Sequence, residues 1–122
     1  MTTQEQLTSK FQDFIEKDDS PYYFYIHDTE GVFTYISPHM TELLGFSIDE
    51  FKSFYLNHAT GNPINKEMIR YTQQCLKGNI QEPYKVEVYD KDYKTHTLCV
   101  SERPVYEGEK IVGIEGVAKV LN

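Results

Sequence analysis

The sequence predicts an α+β domain in which a five-stranded antiparallel sheet is covered by short helices. Three observations predict it. Two strand-like runs, Tyr22 to His27 and Val32 to Ile36, flank the four-residue turn Asp28-Thr29-Glu30-Gly31. Residues 37 to 77 then carry helix caps and helical periodicity, and residues 84 to 121 return to strand alternation broken twice by turns. Two strands, a helical block and three further strands leave one sheet face for helices to cover.

In chain order, QEQLTSKFQDFIEK (residues 4 to 17) sets Leu7, Phe11, Phe14 and Ile15 on one stripe of an otherwise charged helix. Asp18-Asp19-Ser20-Pro21 ends it, because the residue before proline resists helical geometry. In the turn after the first strand, Asp28 bonds nearby amides and Gly31 takes positive φ, which makes a hairpin. Ser37-Pro38 reads as an N-cap with proline at the first helical position, and Gly45 closes that helix after barely two turns. Ser47 and Glu50 stand at capping-box spacing, so another short helix starts there.

Asn57 to Asn62 reads as a loop. Pro63 or Asn65 opens a longer helix through Leu76, with Met68, Ile69, Thr72, Cys75 and Leu76 as its apolar positions and Gly78-Asn79 as its close. The last three strands are Tyr84 to Tyr89, Thr95 to Val105 and Ile111 to Leu121. Tyr84, Val86 and Val88 share one face; so do His96, Leu98 and Val100, and so do Val112, Ile114, Gly116 and Ala118.

Bulk composition narrows the function. The chain has 122 residues, enough for one domain with a real core, and 14% of them are aromatic, which supports packing rather than disorder. A formal charge of −7 without any Lys/Arg cluster excludes nucleic acid and anionic membrane as natural partners. No apolar run approaches a spanning helix or a signal-peptide core, so a cytoplasmic protein is expected. Cys75 and Cys99 read as inert thiols rather than a disulfide framework.

At this point residues 28 to 51, DTEGVFTYISPHMTELLGFSIDEF, carry a resemblance. They resemble the N-terminal half of a PAS sensory domain, with its Asp-x-x-Gly, strand, Ser-Pro and helix ending Leu-Gly-Phe-Ser. Residues 101 to 122, SERPVYEGEKIVGIEGVAKVLN, are similar to the closing PAS hairpin, with Pro104 in the strand and Gly116 near the end. The resemblance covers residues 20 to 122, and leaves 1 to 19 as an N-terminal amphipathic helix that either caps the sheet or pairs two chains.

It implies a PAS-like (profilin-like) sheet with the first strand paired to the second and the last. It also implies a non-enzymatic sensor that binds a small molecule or partner and regulates an attached output domain such as a histidine kinase or diguanylate cyclase. A homodimer through Leu7, Phe11, Phe14 and Ile15 follows from the same resemblance. A filled-core module acting only in dimerisation is the alternative, and a small α+β enzyme the least favoured.

Two departures stand out. Val120-Leu121-Asn122 replaces the usual closing Asp-Ile-Thr, and Asp92-Tyr93 replaces the Asp-Gly of the turn between the third and fourth strands. Polar tips in an apolar interior are what a small-molecule site requires. By alternation, the expected pocket residues are Phe24, Phe33, Tyr35, Met68, Tyr71, Thr72, Val88, Val100 and Ile114. The cofactor stays open, because neither haem nor flavin has a ligand motif. The helix of residues 63 to 77 holds no His, His39 and His58 read as solvated or capping, and neither cysteine lies in an Asn-Cys-Arg-Phe stretch. No His or Cys pair has a zinc spacing, and no nucleophile–base pair is evident.

Overall fold

The computed structural model describes residues 4–121. Helices α1 (Gln4–Lys10) and α2 (Gln12–Glu16) lead into β1 (Tyr22–Asp28) and β2 (Phe33–Ile36). Short helices α3 (His39–Leu44) and α4 (Ile48–Phe51) follow, then two 3-10 turns, Tyr55–His58 and Pro63–Glu67. Helix α5 (Met68–Leu76) precedes β3 (Tyr84–Tyr89), β4 (Thr95–Glu107) and β5 (Lys110–Val120). The sheet order is β2-β1-β5-β4-β3 with every pairing antiparallel, so β1 does lie between the second and last strands.

The turns follow the chemistry of their residues. Asp28 Oδ1 accepts from Glu30 N at 2.9 Å and Val32 N at 3.0 Å, while Gly31 takes φ 87. The turn between β3 and β4 repeats the device: Asp90 Oδ1 accepts from Asp92 N at 2.8 Å and Lys94 N at 3.0 Å. Tyr93 therefore holds φ 62 without being glycine, a strain of about 1 kcal/mol that the anchored Asp90 offsets. His96 Nε2 bonds Asp90 Oδ2 at 2.8 Å and draws that carboxyl below its ordinary range.

Gly45 caps α3 with φ 85, and Ser47 with Glu50 forms the capping box, as their residues predict. Ser37 does not cap α3. Its Oγ accepts the Phe24 N–H at 2.8 Å, which ties the helical block to β1 and leaves Pro38 as the first cap position. The expected helix from Pro63 starts instead as a 3-10 turn capped by Asn62, and its Ile69 is exposed. Asn65 diverts this segment: its side chain accepts from Glu87 N and donates to Glu87 O, both at 2.8 Å, and so staples it to β3.

The N-terminal stripe caps the chain's own sheet. Leu7 and Phe11 are buried with Phe24 and Val117, while Phe14 and Ile15 pack at the margin with Tyr22, Ile26 and Tyr35. The single helix expected over residues 4 to 17 bends at Phe11, though Phe11 N–Leu7 O (3.0 Å) and Ile15 N–Phe11 O (2.9 Å) bridge the bend. Leu7 and Phe11 are thereby removed as dimer-interface residues, because burial within one chain leaves them no surface to offer a second.

Charges close the same seam. Lys10 Nζ meets Glu115 Oε1 at 2.8 Å, and Lys119 Nζ meets Asp18 Oδ2 at 3.1 Å while lying 4.1 Å over the Phe14 ring. Hydrogen bonds from Ser20 first, and Lys119 second, hold Asp18 near 2 against an ordinary 3.8. Lys91 and the Ser47 amide hold Glu50 near 2 against an ordinary 4.5. Both folded pKa values lie below the unfolded ones. This stabilisation is therefore complete above about pH 5 and lost as the pH falls through about 2. We expect the urea midpoint to drop across that acid window, and Asp18→Asn with Glu50→Gln to flatten the drop.

Candidate ligand pocket

On the opposite face the sheet and the helical block enclose an interior cavity. Its floor is Tyr23 and Tyr25 of β1, Val86 and Val88 of β3, Leu98 and Val100 of β4, and Ala118 of β5. Its roof is Phe33, Phe51, Tyr55, His58 and Met68. The helical block is placed to do this by α4's capping box, the Asn65–Glu87 staple and the Ser37–Phe24 bond described above. The cavity volume is about 50 Å³. A single water needs about 10–15 Å³ on this scale, so the space takes a group of only about four heavy atoms.

The polar end is built around Glu102, which is 8% exposed. Tyr25 Oη donates to Glu102 Oε2 at 2.6 Å and Tyr84 Oη donates to Glu102 Oε1 at 2.8 Å. Both phenols are raised well above their ordinary pKa, first by burial and then by the Glu102 charge. Tyr25 reaches this position because Gly116 opposes it on β5: a Cβ there would stand 2.4 Å from the Tyr25 ring. Thr72 Oγ1 lies beside the Tyr55 and Tyr84 hydroxyls without a well-formed hydrogen bond.

Two histidines line the cavity. His27 is 1% exposed and stacks on Tyr55 at 5.3 Å. Its Nδ1 lies 2.8 Å from the Asp28 carbonyl oxygen and its Nε2 has no partner. His58 stacks on Phe51 at 4.2 Å, near Ser53 Oγ and the Phe51 carbonyl, and burial lowers its pKa.

Of the residues expected in the pocket, Phe33, Met68, Val88 and Val100 line it. Phe24 and Tyr35 do not: they lie under the N-terminal helix on the other face. A β-bulge separates Phe33 from Tyr35, because His27 pairs with Phe33 while Ile26 pairs with Tyr35, leaving Thr34 as the extra residue. Tyr71 stacks on Tyr84 at 4.4 Å behind the wall, Thr72 is buried on α5 outside the lining, and Ile114 is buried opposite His27 beyond it. Sequence reasoning missed Glu102, Tyr25 and Tyr84, and placed His27 in the cavity only under the least favoured, enzyme reading. The one available signal was a carboxylate at mid-strand between alternating apolar positions.

Cofactor fit follows from these walls. A flavin or haem needs a cavity several times larger, since even drug-sized ligands take about 300 Å³ or more. No cysteine lines the space: Cys75 is buried on α5, where burial and then the Glu102 charge push its thiol up to about 12. Neither group fits the pocket as built. Among the described residues no three His, Cys, Asp or Glu side chains are grouped to hold a metal ion.

This five-stranded sheet with its helical block is the PAS fold. The chain superposes with TM-score 0.71 on a PAS domain from Colwellia psychrerythraea, at 14% identity over 96% of each chain. It is equally similar, at TM-score 0.71 and 18% identity, to a light-oxygen-voltage domain from work on a flavin analogue, over 95% of this chain and 84% of that one. A third likeness, also at 0.71 and with 13% identity, is to the LOV domain of a blue-light activated histidine kinase from Erythrobacter litoralis, over 84% of this chain and 97% of that one. No protein-family model and no curated protein matches the sequence. Identities this low establish shared architecture and leave the chemistry to the side chains.

Proposed function

We propose that this chain is a signal-sensing module whose interior cavity takes a small molecule and whose occupancy regulates an attached output domain. The observation that carries the reading is the buried Glu102 carboxylate with its two tyrosine donors, at the end of an otherwise apolar cavity in a PAS fold. A few polar groups at fixed positions in an apolar wall give a small-molecule site its orientation and specificity. A regulatory rather than catalytic role is the reading that the likeness to PAS domains supports. A cytoplasmic signalling protein is the natural setting, with a histidine kinase or diguanylate cyclase as output. The kinase is favoured by the similarity to the Erythrobacter domain. Pairing with a second copy would have to use surface other than Leu7 and Phe11.

A second reading has its own observation: about 50 Å³ is small enough for a filled-core module that acts only through its surface. Native mass spectrometry of freshly purified protein separates the two. A co-purified small molecule supports the sensor. A clean apo mass, with no thermal shift across a broad metabolite screen, supports the filled core. A ligand at about a hundredfold its dissociation constant should raise the melting temperature by roughly 5 to 15 °C.

A further inference from the structure

The geometry points to a small protonated amine as the ligand of this cavity, an inference that rests on the sensor reading and names its ligand class. Three features, none of which depends on the others, agree. First, the polar end of the space, around Glu102, offers acceptors. Glu102 is a buried carboxylate, and its two partners already direct their only hydroxyl protons at it, which leaves the Tyr25 and Tyr84 oxygens with lone pairs to offer.

Second, the His27 tautomer is fixed by its neighbour. A backbone carbonyl can only accept, so the Nδ1 facing Asp28 O carries the proton, and Nε2 is left as a bare acceptor. That nitrogen is buried without a partner, so it calls for a donor from whatever fills the cavity. Third, much of the remaining wall is aromatic. Tyr23, Phe33, Phe51 and Tyr55 line the space, and electron-rich rings favour a cation over an anion, the more so when it is desolvated.

A carboxylate, a bare imidazole nitrogen and an aromatic lining all favour one kind of guest. It has several N–H donors and a positive charge, and it is no larger than about four heavy atoms. An anion would meet the buried Glu102 charge. A neutral alcohol would supply only one donor and no charge.

The experiment is a thermal-shift and calorimetric series on the whole chain at neutral pH. Methylammonium, ethylammonium and trimethylammonium chlorides are compared with potassium chloride, sodium acetate and tert-butanol at equal millimolar concentration. The expected result is a melting-temperature rise of about 3 °C or more with at least one alkylammonium and with none of the three controls. Glu102→Gln, which keeps the shape and removes the charge, should weaken that binding by about tenfold to a hundredfold.

The unmutated arm decides the question even where the variant folds poorly. If no alkylammonium shifts the melting temperature, the amine is overturned. Potassium acting equally, or Glu102→Gln binding amines as well as the parent does, overturns it too. A shift with acetate or tert-butanol alone overturns the amine but leaves a ligand-binding sensor standing. Failure of the sensor reading itself would show separately, as a clean apo mass and a flat metabolite screen.

Discussion

Replacing Glu102 with alanine should lower the unfolding free energy by about 2 to 6 kcal/mol, because the buried Tyr25 and half-buried Tyr84 hydroxyls then each cost about 1 to 3 kcal/mol unpaired. Tyr25 and Tyr84 have no other acceptor of comparable quality, and Tyr25 is 6% exposed, so solvent cannot substitute for the carboxylate from outside. The lower end of the range applies where water enters the vacated space, which adjoins the cavity and is polar enough to hold it. Glu102→Gln should cost less, since its amide oxygen still accepts from one phenol. Urea unfolding of the parent and the two variants, read as free energies with a check that the slopes agree, tests this ordering.

Phe24→Ala should be as damaging on the other face, at about 3 to 5 kcal/mol. Phe24 is 0% exposed and fills the space between the bent N-terminal helix and the sheet, against Leu7, Phe11 and Val117. Its edge-to-face contact with Tyr22, at 5.5 Å between centroids, is lost with it. The vacancy has rigid walls on the sheet side and cannot close fully. Phe54→Ala is the control: Phe54 is 38% exposed, and the change should fall well below that of Phe24. Thermal melts of the three proteins should rank parent and Phe54→Ala together and Phe24→Ala apart.

Much of the fold was legible because turn chemistry and capping are local. Asp28 with Gly31, Ser47 with Glu50, and Gly45 each act within a few residues, so their sequence signals became the expected structures. Strand faces in β3, β4 and β5 were legible as well, because apolar and polar residues alternate there. The face of β1 was not. Tyr22 to Ile26 is aromatic or aliphatic at every position, since one side packs on the cavity and the other on the N-terminal helix. A strand buried on both faces carries no alternation to read. The bulge at Thr34 then sent Phe33 and Tyr35 to opposite sides, although they are two residues apart.

The site itself was the least legible part. Glu102 becomes informative only when Tyr25 and Tyr84, distant in sequence, converge on it, and His27 only when its Nδ1 proton is assigned from Asp28 O. Helix boundaries moved for a similar reason. Ser37 and Asn65 gave their side chains to Phe24 and Glu87 rather than to a cap or a helix. A tertiary partner outweighed the local preference in both.

The docked N-terminal helix has a practical consequence for where this domain can be cut. A chain trimmed to begin at Ser20 would bare Tyr22, Phe24, Ile26, Tyr35 and Val117 together, one contiguous greasy panel on the sheet. The same cut would strip Glu115 and Lys119 of their counter-charges, Lys10 and Asp18. Panels of this kind drive proteins onto one another or onto column matrices. Self-association of such a fragment would therefore report the loss of a lid and would say nothing about how whole chains assemble. Leu7 and Phe11 cover that panel, and Asp18 answers Lys119, only while the helix is attached.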